Sequence, residues 1–212
     1  MSIFQKLFGD SSKRASSPRN ISMEGIAAFS AKVFHQAAYG ADEIRKVAEA
    51  SSLASLVMPK SIQKDTNGLD FMQWFAVFSE FHNFYLHMTD RTAFTNLSAA
   101  RRAELMNGVE TWSINVAVET ICAGMPKDKI RGIQEESLAN LRRAHEEFGQ
   151  YKCLLPTKPD ESPAGTLAWE FSKSVATYAG PAMDMVYITR AFQLATDGLI
   201  ALDIKSFISE CP

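Results

Sequence analysis

The chain has 212 residues, a formal net charge of −2 and three cysteines. Its 46% apolar and 22% charged residues match a soluble globular protein, and the length suffices to bury a core without staples. No global basic field exists to hold nucleic acid. Cys122, Cys153 and Cys211 lack disulfide-framework or Cys-x-x-Cys spacing, so a reducing, cytoplasmic setting is expected.

Residues 1–20 read as a short amphipathic helix plus a polar linker. Ile3, Phe4, Leu7 and Phe8 share one face and Gly9 ends it, while DSSKRASSPRN is too polar to fold. The segment has no secretory-signal pattern, and Ser2 excludes N-myristoylation. Its apolar face and nearby Lys6, Lys13, Arg14 and Arg19 suit a partner surface or weak contact with an anionic membrane. No stretch approaches the roughly 20 apolar residues of a membrane span.

Residues 21–212 read as one all-α domain, a bundle of about six helices. The first runs from about Ser22 towards Ala50, with Gly40 a possible break. Leu53 to Gly68 reads as a connection with a short helix at Ala54 to Met58. The second runs from about Leu69 to Thr95 and holds seven aromatics between Phe71 and Tyr85, with neither Gly nor Pro. It is expected at the centre of the core, because a helix apolar over most of its circumference is normally buried. Ser98 is the predicted N-cap of a third helix lasting until Gly124 and Pro126. A charged helix follows from Lys127 or Asp128 to about Tyr151, reading as a solvated face. After CLLPTKPDESP, Ser162 and Pro163 read as N-cap and first turn of a helix to about Tyr178. Gly180-Pro181 breaks it, and the last helix spans about Ala182 to Asp203.

Glu80, Asn83, His87, Asp90 and Arg91 form one polar stripe on the aromatic helix. The short loop at Leu97 and Ser98 implies an antiparallel hairpin. Opposed residue numbers then sum to roughly 195, within a helical turn. This register puts Arg91 near Glu104, His87 near Gly108 and Glu80 near Asn115. Gly108 is costly inside a helix, and close approach of His87 would account for it. Glu119, among Val116, Val118 and Ile121, is expected at a wet edge; the alternative joins it to Glu80 and His87 in a buried site.

The stripe does not meet the paired Glu-x-x-His pattern of carboxylate metal sites, although His145-Glu146 could add ligands. No metal or cofactor is assigned. Gly-x-Ser-x-Gly, a P-loop, Gly-x-Gly-x-x-Gly and His-Glu-x-x-His are all absent. The expectation is therefore a cytoplasmic helical protein acting through association, as a homodimer or adaptor. One alternative is a helical-bundle metal protein or enzyme using Glu80, His87, Asp90 and Glu119. The other is a peripheral membrane protein using Ile3, Phe4, Leu7 and Phe8. Fourteen Phe, three Trp and five Tyr are many for one core. Phe192, Leu199, Ile204, Phe207 and Ile208 are the expected spill-over onto a contact patch, with Phe4 and Phe8.

Overall fold

The computed structural model describes residues 22–56, 69–156, 158, 160–180 and 184–210. The expectations for residues 1–20, and most of the predicted connection before Gly68, lie outside them. The chain is an all-α helical bundle, and no strand occurs among the described residues. Its helices are α1 (Met23–Leu56), α2 (Phe71–Asn96), α3 (Ala99–Ile121), α4 (Lys127–Phe148), α5 (Leu167–Ala179), α6 (Met185–Leu202) and α7 (Ile204–Ser209).

Local chemistry accounts for most of the helix ends. α2 opens with a capping box: Gln73 N–H donates to Asp70 Oδ1 at 2.8 Å, and Asp70 N–H donates to Gln73 Oε1 at 3.1 Å. Ser98 caps α3 in extended conformation, its hydroxyl accepting from Arg101 N–H. Beyond α3, Gly124 has φ +88°, the left-handed conformation for which glycine is favoured.

Two predicted boundaries are corrected, and the last helix ends where expected. α1 runs unbroken through Gly40 to Leu56. Gly40 serves close packing there, since a Cβ would sit 3.0 Å from the Phe81 ring. α5 begins at Leu167 rather than after Ser162-Pro163, because Gly165 has φ +80° and Thr166 N–H closes a turn onto the Pro163 carbonyl. Thr166 makes no side-chain cap; instead Leu167 and Ala168 donate their N–H groups to the Cys153 and Leu154 carbonyls. The loop thus satisfies donors that a helix start leaves orphaned. Finally, α6 ends at Leu202, where Asp203 takes φ 45° and its carboxylate accepts from Ser206 N–H to start α7.

The helices divide into two compact units. The first holds the described residues within 1–35, 85–145 and 199–212, and the second those within 36–84 and 146–198. In the first, Phe29 stacks on Phe207 with ring centroids 3.9 Å apart, and Ser30 donates to the Val109 carbonyl. Leu199, Ile204 and Ile208 are buried, so the expected apolar spill-over is corrected there. The left-handed turn at Asp203 gives the tail a short helix whose apolar residues reach the core. In the second unit Phe171 packs edge-on to Phe81 and stacked on Phe84, and Phe148 meets Phe84 edge-on.

Candidate functional site

α2 is buried at every residue from 81 to 89, including His82, Asn83, His87 and Thr89. Its threonines solve part of this polar burial locally. Thr89 donates to the Tyr85 carbonyl and Thr92 to the Met88 carbonyl, each at 2.8 Å. The histidines and carboxylates must instead be accommodated by neighbouring helices.

The structure divides the predicted stripe. Glu80 belongs to the second unit and His87, Asp90 and Arg91 to the first. Glu80 hydrogen-bonds Ser174 and faces Glu147; burial pushes its carboxyl up to about 7, against the lowering effect of the Ser174 hydrogen bond. Asn83 is buried. Glu119 is exposed, on the wet edge of α3. His82 is buried and stacks on Phe78, and burial holds its imidazole down to about 4.

In the first unit, a cluster spans α2, α3 and α4. His87 Nδ1 lies 3.4 Å from His145 Nδ1, with ring centroids 5.3 Å apart. His145 Nε2 lies 3.6 Å from Glu110 Oε1, within ion-pair reach but longer than a hydrogen bond. Alongside, Arg102 grips Asp90 through two parallel bonds, Nε to Oδ1 at 2.7 Å and Nη2 to Oδ2 at 2.5 Å. Arg102 also lies over the Phe94 ring, 5.1 Å from its centroid.

The electrostatics are those of a partly dehydrated site. Burial, helped by the neighbouring His145 and Arg91 and opposed by Asp90, lowers His87 to about 4. Burial also lowers His145, and burial together with Asp90 raises the Glu110 carboxyl to about 7 against the opposing pull of Arg142 and Arg102. A charged pair would move Glu110 down and His145 up. Both move the other way, so desolvation outweighs their mutual attraction. Near neutral pH the contact joins a neutral imidazole to a carboxyl near half-protonation, a combination able to accept and return a proton.

Asp90 is held by Arg102 and Glu104 by Arg101. Gly108 does permit close approach, but the side chain meeting its missing Cβ is Ile26, 2.9 Å away, rather than His87. Sequence reasoning missed Glu110; it read the charged helix as a solvated face, while noting that its His145-Glu146 could add ligands. A charged residue beside Val109 on an amphipathic helix was the available signal, but the α3–α4 contact leaves no local mark. Among the described residues no three His, Cys, Asp or Glu side chains group as a metal site. No helix of the described residues is long and apolar enough to cross a membrane. Comparison with protein-family models, curated proteins and solved structures gave no match.

Proposed function

We propose that this protein acts through association in the cytoplasm, as a homodimer, with the aromatic N-terminal end of α2 as the contact. One observation carries this reading. Phe71 packs beside Trp74 and Phe75, these lie on Phe78, and Phe78 lies on His82. This ladder starts in the buried part of the second unit and ends at Phe71 and Met72, which are 61% and 69% exposed. The Trp74 indole N–H donates to Asp42 at 3.0 Å, which fixes the ladder's outer half. Rigid aromatic and methionine side chains at an exposed end are the composition of interface centres. A net charge of −2 opposes self-association only weakly. The free thiols Cys122 and Cys153 fit a reducing compartment.

Sedimentation velocity at micromolar concentration tests the reading. The full chain is expected to sediment as a dimer, and Phe71→Glu/Met72→Glu as a monomer of unchanged helicity. A monomeric wild type overturns self-association. A dimer that survives both substitutions overturns this contact.

A further inference from the structure

We infer that the Nδ1 atoms of His87 and His145 form a seat for one borderline transition-metal dication, of which zinc is representative, with solvent filling its remaining positions. The geometry is the first argument. Two nitrogens bound tetrahedrally about 2.05 Å from one ion lie about 3.3 Å apart, with ring centroids about 5.2 Å apart. The two rings show 3.4 Å and 5.3 Å. A collinear N–H···N bond at that nitrogen separation would put the centroids about 5.7 Å apart, and such bonds are shorter, near 3.0 Å. The ring axes are therefore bent, as joint coordination requires.

The surroundings are the second argument. A metal-bound histidine usually turns its other ring nitrogen to a carboxylate, which orients the ring and raises its basicity. Glu110 is the carboxylate nearest to His145 Nε2, its Oε1 lying 3.6 Å away, within ion-pair reach though longer than a hydrogen bond. The ligands stand on α2 and α4 and the carboxylate on α3, so helices hold all three groups. The side chains of His145 and Glu110 are 21% and 28% exposed, so this side of the pair lies at the edge of the buried region. Asp90 is occupied by Arg102. With two protein ligands the seat is open and binds less tightly than a closed four-ligand site. Nitrogen donors favour zinc, cobalt, nickel or copper over magnesium or calcium.

Cobalt(II) titration of the metal-free full-length chain near neutral pH tests this, read by its visible absorption and by competition with zinc(II). One equivalent is expected to bind. His145→Gln and His87→Ala are each expected to weaken binding at least tenfold, with helicity checked by circular dichroism. Glu110→Gln should weaken it about tenfold or more, as loss of a ligand-orienting carboxylate does. His35→Ala, at an exposed histidine on α1, should leave it unchanged. The seat is refuted if the wild type shows no saturable binding below about 1 mM, a free energy near −4 kcal/mol. Undiminished binding by folded His145→Gln refutes it too, as does loss of binding in His35→Ala.

Discussion

Replacing Glu80 with Gln should stabilise the protein in a pH-dependent way. Burial raises the Glu80 carboxyl from its ordinary 4.5 to about 7. The folded state therefore favours the protonated form. That contribution is complete below about pH 4.5 and is lost as pH rises through about 7. Every tenfold change in proton affinity corresponds to about 1.36 kcal/mol, so the full effect approaches about 3 kcal/mol; partial exposure of the side chain reduces it to about 1–3 kcal/mol. Glutamine keeps the shape and a polar partner for Ser174, and it cannot ionise. Its advantage over wild type should grow by that amount between about pH 4.5 and pH 8.5. Urea unfolding with linear extrapolation, at a series of pH values, measures the difference. Glu110, His82 and His87 titrate in both proteins and cancel in the comparison. A pH-independent difference, or one shrinking as pH rises, would show that Glu80 is not held in a dehydrated site.

Three further outcomes follow from the packing. Gly40→Ala gains about 1 kcal/mol of helix propensity but drives a Cβ against Phe81, which is 0% exposed. Overpacking costs about 1–3 kcal/mol, so a net loss of about 1 kcal/mol is expected in chemical denaturation, and a more stable variant would contradict the close approach. Asp203→Ala loses a helix cap and keeps the left-handed φ, and should cost about 1–2 kcal/mol. Asp203→Gly, free of the backbone strain, should cost clearly less; equal losses would argue against strain at this turn. Arg102→Leu leaves the half-buried Asp90 without its bidentate partner, and about 1–2 kcal/mol should be lost after allowing for solvent screening. A double-mutant cycle with Asp90→Asn isolates the pair, and a coupling energy near zero would refute it.

What the sequence by itself determined about this protein is its local order. Helical periodicity and the absence of alternating strands were enough for the all-α class, because these patterns act within one or two turns of chain. The Ser98 cap, the two-residue turn at Leu97 and Ser98, and the break at Gly180 were legible for the same reason. The capping box of Asp70 and Gln73 is a local signal of the same kind, which the reading of the sequence passed over. Only the tertiary structure decided what each helix face meets. Gly40 and Gly108 look alike as helix glycines, yet one admits the Phe81 ring and the other the tip of Ile26. The stripe on α2 is continuous in sequence, but its residues divide between two packing units, Glu80 in one and His87 in the other. Glu119 and Glu110 lie nine residues apart on the same helix. The first is exposed, and the second has its carboxyl raised by burial beside His145. The physical reason is that desolvation and pairing depend on atoms brought in from other helices. The side chains that meet these carboxylates, His145 beside Glu110 and Ser174 on Glu80, are separated from their partners by dozens of residues of chain.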